Sequence, residues 1–592
     1  MKLSKPPTNT ELAQLLRYVA AALEIKNANR FRIISYEKAA DSIEHATSEA
    51  KDLWDDHKLA DLPGIGSSIA THLDEIFRTG KSTHFESELK GLPPGMFPLL
   101  DIPGVGPKTA HKLALLLGLT HEHSAITKLE KAAKQGEIQQ LEGFKADGEK
   151  RILQGIEELK NRSGRTLIHH ADKTANEIIE YLKKHSSVKQ AYPLGSLRRR
   201  VATVGDIDLA TATDKPKEVI THFIQYPLAR RTVEAGDISA TIALSDQSHV
   251  DLMVQGTNSF GSLLQHFTGS KHHNIHLREI ALKKGWSLSE KGIKKVRSQK
   301  SEVRSFKTEE QLYKFLGLDY IPPELREDTG EIEAAQKHQL PSLINESDIK
   351  GDFHTHSNFP IEPSHDLGLN SMEEMIEQAI NLNYEYLAFS EHNPSLSEHS
   401  EQQIIDLIKR KQETIIKLNE KYEKSMKTMK ILNSLEIDIR PDGQLALPDK
   451  AFDYLDIAIV SIHSSFRQTR QQATDRILKA LDHPTVKIWG HPTGRIINKR
   501  EGLEFDWDKI FDFCVKNHKW IEIDGWPDRL DLPDTLVREA IQHGVQLTID
   551  SDAHQIDHME MLKYGVSCAR RGWAEPKDII NTLTWKQLQK KL

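Results

Sequence analysis

The sequence of 592 residues is poor in cysteine and contains only Cys514 and Cys568. Two cysteines are too few for a disulfide framework or a cysteine-based zinc site, so any metal must be held by His, Asp and Glu. No apolar run approaches the roughly 18 residues of a membrane span, and the polar start after Met1 has no signal-peptide core. We therefore expect a soluble, cytoplasmic protein without a membrane partner.

A surplus of positive charge is also missing, since the formal net charge is −7. Taken alone, this total argues against a protein that binds nucleic acid. It conceals a basic stretch, however, because residues 271–307 carry eleven Lys and Arg. A run of charge is usually only a solvated face, but a local basic surface attracts a phosphate backbone whatever the net charge. At roughly 100–200 residues per domain, the length predicts about three to five domains.

The first third of the chain has helical periodicity interrupted by a repeated turn. The pattern at 62–66, Leu-Pro-Gly-Ile-Gly, returns at 102–106 as Ile-Pro-Gly-Val-Gly, and 141–145 is a degenerate third copy. Such turns point N–H groups outward at a helix start, which suits an anion. One copy is as easily a simple turn, whereas two copies favour DNA binding. The candidate DNA-binding residues here are Gly64, Gly66, Gly104, Gly106 and Lys108.

In the middle of the chain, Asp206 and Asp208 lie two residues apart in a predicted strand, and Asp251 interrupts a later apolar run. Side chains at i and i+2 of a strand share one face, so the first two carboxylates point the same way. Such a pair is more often solvent-facing charge. A third acid in a second strand favours a shared Mg²⁺, which removes the cost of burying an unpaired carboxylate.

Upstream of these acids, Gly195 and Ser196 allow backbone N–H groups to approach an anion, and Arg199 offers a planar fork for phosphate oxygens. Together with the three acids, this Gly-Ser-x-Arg-Arg pattern resembles the palm of the family X DNA polymerases, and residues 267–274 continue the match. The resemblance implies nucleotidyl transfer by two metal ions at Asp206, Asp208 and Asp251. It also assigns residues to the nucleotide and, for the last one, to the template strand: Gly195, Ser196, Arg199, Phe267, Gly269, Asn274 and Arg278.

Two departures from the family pattern bear on activity. His72 stands where relatives with lyase activity have a Schiff-base lysine, and because an imidazole cannot form that stable iminium, we expect weak or absent lyase activity. His266 stands where many relatives have a tyrosine near the nucleotide sugar, which leaves ribonucleotide discrimination open. The resemblance also implies a monovalent cation at the hairpin carbonyls near Leu62, Ile65, Ile102 and Val105.

From Asp352 onwards, strand-like runs alternate with helical stretches. Of seven such repeats, six place a His, Asp or Glu at the C-terminal end of the strand, which predicts a barrel with a polar metal site at one face. A single histidine there is usually a satisfied core or surface residue, but six such ends are hard to explain that way. Imidazoles mixed with carboxylates suit Mn²⁺, Zn²⁺ or Fe²⁺ better than Mg²⁺, and such a cluster suits phosphoester hydrolysis.

These strand ends resemble the polymerase and histidinol phosphatase (PHP) domain along essentially its whole length. The family's Ser-Asp-Gly ligand appears here one residue longer, at 364–368, so either Asp366 or His365 can be the ligand. Glu391 precedes His392 where relatives often have Asp, which alters the surroundings of the metal. The resemblance implies that Glu436 bridges two metals, within this ligand set: His354, His356, Asp366, His392, Glu436, His463, His491, Asp552 and His554.

With these resemblances, the sequence predicts a multidomain protein: an all-α N-terminal region whose repeated turns resemble the helix-hairpin-helix motif, an α+β palm and thumb like those of polymerase beta, and a distorted (β/α)7 PHP barrel. The predicted bounds are 1–90 and 91–165 for two helix-hairpin-helix regions, 166–260 for the palm, 261–318 for the thumb-like part, 319–348 for an extended linker and 349–592 for the PHP domain. We expect a monomeric polymerase that uses deoxynucleoside triphosphates to fill gapped or nicked DNA in repair.

In the PHP domain we expect a metal-dependent 3′-5′ exonuclease or another 3′-end-processing activity. One alternative keeps the polymerase and makes the barrel a DNA-positioning scaffold without turnover. A second alternative makes the chain mainly a small-molecule phosphatase whose N-terminal part is a passive adaptor.

Overall fold

The computed structural model describes residues 7–44, 50–55, 59, 62, 64–102, 104–161, 165–244, 248–296, 303–424 and 429–592. The chain forms two compact units, Met1–Gly164 and Arg165–Leu592, and each is described by itself. Of the predicted basic stretch, Arg297 and Lys300 lie outside the described residues. Among the helices that the described residues form, none has both the length and the apolar character of a membrane span.

The described residues of the first unit form eight α-helices, as the helical periodicity predicts. Helix α1 begins at a capping box, in which Glu11 N donates to Thr8 Oγ1 at 3.2 Å and Thr8 N donates to Glu11 Oε2 at 2.8 Å. The helices pack around two apolar clusters, one joining α1, α2, α4 and α5 and the other joining α6, α7 and α8. The helices are α1 (Asn9–Ile25), α2 (Arg30–Glu44), α3 (Ala50–Asp55), α4 (Ser67–Thr79), α5 (Thr83–Leu89), α6 (Pro107–Leu116), α7 (Glu122–Lys134) and α8 (Ala146–Asn161).

The second unit opens with a five-stranded sheet in the order β2-β4-β7-β6-β5. Strands β4 and β7 are parallel, and the other neighbours are antiparallel. Helices α9 and α11 cover the sheet and bury its apolar face. The elements are β1 (Thr166–Leu167), α9 (Ile168–Lys183), β2 (Gln190–Pro193), α10 (Gly195–Arg198), β3 (Thr203–Val204), β4 (Ile207–Ala212), α11 (Pro216–Ile224), β5 (Ala229–Ala235), β6 (Ser239–Leu244) and β7 (His249–Gln255).

A smaller layer follows, in which helices pack against a two-stranded antiparallel sheet of β8 and β9. Its elements are α12 (Phe260–Thr268), α13 (Lys271–Lys283), β8 (Trp286–Ser289), β9 (Gly292–Lys295), α14 (Glu309–Phe315) and α15 (Glu331–Gln336).

The prediction of an extended linker at 319–348 is wrong, because this segment is folded onto the layer before it. Arg326 is fully buried, and its Nη1 donates to Glu309 Oε1 at 2.6 Å. Glu331 is also fully buried, and its Oε1 lies 2.7 Å from Nδ1 of His273. The acidic composition that indicated a solvated connector instead provides partners for buried cations, and unpaired burial of those charges would be costly.

The C-terminal module alternates parallel strands with helices, in two sheets ordered β10-β11-β12 and β13-β14-β15-β16-β17. Isolated parallel bridges join His392 to Glu436 and Thr355 to Ala553, so the two sheets meet at both edges. This pairing favours the predicted barrel. The strands are β10 (Gly351–Thr355), β11 (Tyr386–Phe389), β12 (Lys430–Asn433), β13 (Glu436–Asp438), β14 (Ala458–Ser461), β15 (Val486–Trp489), β16 (Trp520–Asp524) and β17 (Gln546–Asp550).

The helices of this module lie between those strands or after the last of them, and they bury apolar clusters against the sheets. Ser371, Ser400 and Thr469 begin three of them with capping boxes. The helices are α16 (Met372–Asn381), α17 (Glu401–Glu423), α18 (Arg470–Leu481), α19 (Trp507–Asn517), α20 (Asp534–His543), α21 (Leu562–Arg571) and α22 (Trp585–Leu588).

Candidate active sites

Three acids of the palm sheet lie together at the start of two parallel strands. Asp208 in β4 is the direct register partner of Asp251 in β7, and Asp206 precedes β4 by one residue rather than lying inside the strand as predicted. Burial, and then the charges of Asp251 and Asp206, raise the pKa of Asp208 to about 8. Ionising Asp208 near neutral pH is therefore favoured by a nearby cation, and carboxylate oxygens are the ligands that Mg²⁺ prefers.

The turn before the acids is fitted closely to them. Gly195 has a φ of +55°, and a Cβ at this position would lie 2.5 Å from Asp208 Oδ2. Any other residue would strain the backbone and displace the carboxylate. Ser196 is the second residue of α10, so the structure brings this turn beside the acids.

The other predicted nucleotide-binding residues lie around Arg199. Its Nε donates to Glu327 Oε1 at 2.9 Å and its Nη1 donates to the carbonyl of Thr268 at 2.6 Å. A Cβ on Gly269, whose φ is +69°, would lie 3.0 Å from the same Nη1. The positive charge of Arg199 acts on Asp208 by lowering its pKa, although this effect is smaller than those that raise it. The structure therefore brings Arg199 and Gly269 towards the acidic centre.

Asn274 and Arg278 lie on one face of α13, and Phe267 lies near the end of α12. Asn274 Nδ2 donates to the carbonyl of His266 at 2.7 Å, and Arg278 Nε donates to the carbonyl of Asn274 at 3.3 Å. The rings of His266 and Phe267 meet edge to face at 4.8 Å. The predicted i, i+4 relation of Asn274 and Arg278 is thus found. Their roles towards the nucleotide and the template stay predictions.

Three turns in the first unit share one geometry. Gly64, Gly104 and Gly143 have φ values of 82°, 83° and 83°. In each turn, the residue after the glycine donates its N–H to the carbonyl three residues back, at 3.1, 3.0 and 3.0 Å. A helix begins three residues after each glycine, at 67, 107 and 146. The degenerate third copy therefore shares this glycine conformation, this hydrogen bond and this helix start with the first two.

Gly66 and Gly106 are the N-cap residues of α4 and α6, and Lys108 lies in the first turn of α6. The N–H groups of such helix starts suit phosphate oxygens. The cation predicted at the carbonyls of 62, 65, 102 and 105 stays a prediction. His72 stacks on His84 at 4.3 Å, and burial, followed by the charge of His84, lowers its pKa. A neutral imidazole is thus favoured where a lyase needs a lysine.

In the C-terminal module, Glu436 lies at the centre of the predicted ligand set. Its Oε2 lies 2.9 Å from His392 Nδ1 and 3.3 Å from His354 Nε2. Its Oε1 lies 2.7 Å from His491 Nε2 and 3.2 Å from His463 Nε2. Four imidazoles from four strand ends therefore converge on one buried carboxylate, as a bridging ligand requires.

Asp552 forms a second point of convergence. Its Oδ1 lies 3.3 Å from His356 Nε2 and 3.5 Å from His354 Nε2. The ring of His554 stacks on that of His356 at 4.1 Å. His354, His356, Glu436 and Asp552 each offer one donor atom, and these atoms lie within 4.8 Å of one another. This spacing would let the four residues hold one metal ion, and His392, Glu436 and His463 form a further group that would suit another.

Several of these buried donor atoms have no hydrogen-bond partner among the described residues. A buried polar atom without a partner is costly and demands an explanation. A metal ion bound among them supplies one, and the imidazole and carboxylate donors suit Mn²⁺, Zn²⁺ or Fe²⁺. The atoms are His354 Nε2, His356 Nδ1 and Nε2, His392 Nδ1, Glu436 Oε2, Asp552 Oδ1 and His554 Nε2.

The longer loop at 364–368 places both alternatives beside the cluster. Asp366 is largely exposed, with Oδ1 3.5 Å from His392 Nε2 and Oδ2 3.7 Å from His554 Nε2. His365 turns to a different side, where its Nε2 lies 3.0 Å from Asp438 Oδ1. Burial lowers the pKa of His392, but Glu436 and Asp366 raise it to about 10, which records the negative charge around this imidazole.

Sequence reasoning missed two acids that orient the imidazoles. Glu522 Oε1 lies 2.7 Å from His354 Nδ1, and Asp438 Oδ1 lies 2.6 Å from His463 Nδ1. Carboxylates that hold the second ring nitrogen fix which nitrogen faces the metal. The spacing could have indicated Asp438, because it lies at i+2 from Glu436 and so on the same face of β13. Glu522 lies in the middle of β16.

A cavity of about 450 Å³ opens over this cluster. Beside the ligands it is lined by Phe466, Arg500, Trp526 and Arg529. The Nη1 of Arg529 is buried and has no hydrogen-bond partner among the described residues. Burial lowers the pKa of Arg529, but Asp552 and Asp524 raise it more, so the guanidinium stays charged. The cavity thus combines a cation with aromatic walls, which suits a phosphate attached to a base.

Three family models match parts of the chain. They are a helix-hairpin-helix domain at residues 7–82, the DNA polymerase beta thumb at 263–327 and the PHP domain at 352–524.

Curated relatives extend this match over nearly the whole chain. The chain is 34% identical over 581 residues to the DNA polymerase/3′-5′ exonuclease PolX of Bacillus subtilis (strain 168), an alignment that covers 98% of each protein. It is 24% identical over 333 residues to DNA polymerase lambda of Arabidopsis thaliana, covering 50% of this chain and 58% of the relative. With DNA polymerase lambda of Rattus norvegicus the identity is 22% over 362 residues, covering 54% and 56%.

Proposed function

Because the chain belongs to the family X DNA polymerases that carry a PHP domain, we propose that its two centres act on the same 3′ end of DNA. The chain is a DNA polymerase with 3′-5′ exonuclease activity. In the proposal, the palm extends a primer across a short gap, and the C-terminal centre removes nucleotides or blocking groups from that primer. Gap filling in DNA repair is the process that needs both reactions.

The palm reaction rests on the convergence of Asp206, Asp208 and Asp251. These acids would hold Mg²⁺, which supplies charge neutralisation for the triphosphate and a lower pKa for the primer hydroxyl. Arg199 binds the triphosphate with the N–H groups that Glu327 and Thr268 do not use. The turn at Gly195 lets the backbone approach the same phosphates.

The hydrolytic reaction is carried by the observation that buried donors converge on Glu436 and Asp552 while several of their atoms lack hydrogen-bond partners. The nine predicted ligands would hold Mn²⁺ or Zn²⁺, which supplies an activated water near neutral pH. Arg529 binds the scissile phosphodiester with its unpaired Nη1. Trp526 and Phe466 form aromatic walls against which the terminal base stacks.

The first unit is proposed to grip the DNA backbone at its glycine turns without reading bases. The domain bounds predicted at residues 90, 165, 260, 318 and 348 are part of this proposal, except that 319–348 is folded rather than extended. Because a residue of ligand type stands at each predicted ligand position, we favour a catalytic PHP domain over a scaffold without turnover.

A primer-end assay tests the proposal. Purified protein is incubated with 5′-labelled primer in gapped DNA, with Mg²⁺ or Mn²⁺ and with or without deoxynucleoside triphosphates. The proposal expects primer growth with nucleotides and stepwise shortening without them, stimulated by Mn²⁺. A protein that binds two or more metal ions per chain but never shortens the primer would support the scaffold alternative. Release of phosphate from small esters with no action on DNA would support the phosphatase alternative.

A further inference from the structure

Helix α21 of the C-terminal module lies against the palm. Tyr564 Oη donates to Asp172 Oδ2 at 3.2 Å. Arg200 Nη1 donates to the other oxygen of that carboxylate at 2.9 Å, and Arg200 Nε donates to Ser567 Oγ at 3.1 Å. Tyr564 is buried in the apolar cluster of the palm. The helix is therefore packed into the palm as well as into the module that contains it.

Arg571, the last residue of α21, reaches the turn that carries Arg199. Its Nη1 donates to the carbonyl of Arg199 at 2.8 Å and to Glu327 Oε1 at 3.0 Å. Its Nε donates to Asp534 Oδ2 at 2.8 Å. The same Glu327 oxygen accepts from Arg199 Nε at 2.9 Å. Alternating charges thus run from α20 through Arg571 and Glu327 to the guanidinium of Arg199.

These ion pairs hold the side chain of Arg199 in one orientation without occupying all of its N–H groups. A guanidinium has five N–H groups. Within the described part of the chain, the contacts of Arg199 to Glu327 and to the Thr268 carbonyl occupy two of them. An arginine that is already held in one orientation loses less conformational freedom when a phosphate binds. Arg571 fixes both the backbone of Arg199 and the carboxylate that orients its side chain.

We propose that Arg571 is a positioning residue for the polymerase reaction, through which the C-terminal module sets the affinity of the palm for the triphosphate of the incoming nucleotide. The proposal rests on the assignment of Arg199 to that triphosphate. In this proposal, the hydrolytic module contributes a residue that supports nucleotide binding in the palm.

The test uses steady-state primer extension by the full chain. Arg571→Ala should raise the KM for the nucleotide about fivefold to tenfold and change kcat by less than about twofold. Glu327→Gln should act in the same direction. Because the two residues act through one another, the double variant should be less impaired than the product of the two single effects. Primer shortening without nucleotides, and the unfolding temperature, should stay close to those of the unsubstituted protein.

Arg570→Ala is the matched control. Arg570 is the neighbouring residue, and it forms an ion pair of 2.8 Å with Glu324 instead of Glu327. An unchanged KM in Arg571→Ala, an equal KM increase in Arg570→Ala, or a parallel loss of primer shortening would each overturn the proposal. Arg199→Ala separates this from the underlying assignment: if that variant leaves the KM unchanged, Arg199 does not bind the triphosphate.

Discussion

The palm acids and the C-terminal cluster both place charged groups at the ends of parallel strands. The groups that surround these charges differ between the two centres. In the palm, only carboxylates meet, and the charges next to them are paired within the protein, as in the ion pair of Arg199 with Glu327. In the C-terminal cluster, imidazoles surround carboxylates, and several buried nitrogen and oxygen atoms lack hydrogen-bond partners among the described residues.

The two centres therefore differ in how a metal ion would bind to them. The palm acids meet no imidazole and are not fully buried, since Asp206 is exposed while Asp208 and Asp251 are half-buried, so the proposed Mg²⁺ would arrive together with the triphosphate. The C-terminal donors are buried and close together, so a metal there is part of the structure as well as of the chemistry. Four predictions test this difference, and they are given in order of decreasing effect.

Glu436→Gln should reduce primer shortening by about 10³-fold, because the substitution removes the negative charge shared by four imidazoles. Metal content, measured by elemental analysis of the purified variant, should fall with it. Primer extension by the same protein should change by less than about twofold, which serves as the internal control. Full metal content with lost shortening would contradict the bridging role.

Glu522→Gln should cost about 10- to 100-fold in metal affinity or hydrolytic rate, since Glu522 holds the Nδ1 of His354. Added Mn²⁺ should rescue part of the loss, which a general packing defect would not allow. A metal titration of the variant measures the effect, and an affinity equal to that of the unsubstituted protein would remove Glu522 from the site.

Much of this contrast follows from the sequence, and the reasons are local. Asp208 and Asp251 lie in strands, and the predicted C-terminal ligands other than Asp366 lie in strands or shortly after them, where the period of a strand helps to fix which side chains share a face. The charged partners in the folded segment 319–348 could not be predicted in this way. Arg326 is buried because Glu309 lies beside it, and Glu327 meets Arg571 although 244 residues separate them. Such pairs depend on how layers pack, which no local pattern specifies.

Ligands and their supporting acids were also indistinguishable in the sequence. Glu436 and Asp438 have the same chemistry and lie on one strand, yet only Glu436 stands among four imidazoles. Both acids lie on the same face of β13, so the position along the strand decides their roles: Glu436 at its start meets the four imidazoles, and Asp438 two residues later meets the Nδ1 of His463.

Chelation should destabilise the C-terminal module more than the palm. Removing the metals leaves the buried donors unsatisfied, so the unfolding temperature of the C-terminal module should fall by several degrees. Differential scanning calorimetry with and without a chelator measures this change. The variant Glu436→Gln, in which the metal content is expected to fall, should show a smaller shift. A chelator shift of undiminished size in this variant would place the stabilising metal elsewhere.

Glu309 should give a smaller, pH-dependent effect. Burial raises its pKa, but Arg326 and Arg198 outweigh burial and lower it to about 2. Because the folded-state pKa lies below the unfolded one, this stabilisation is complete above about pH 4.5 and declines as the pH falls towards the folded value. The stability difference between the unsubstituted protein and Glu309→Gln, measured by urea unfolding, should therefore shrink below about pH 4.5. A difference that is constant with pH would contradict the ion pairing.

The most direct test of two separate centres compares the unsubstituted protein, Asp208→Ala and His354→Ala on one labelled gapped substrate. The account predicts that Asp208→Ala only shortens the primer, with or without nucleotides, and that His354→Ala only extends it. Loss of both reactions in either variant would contradict the account, because it would mean that one centre performs both.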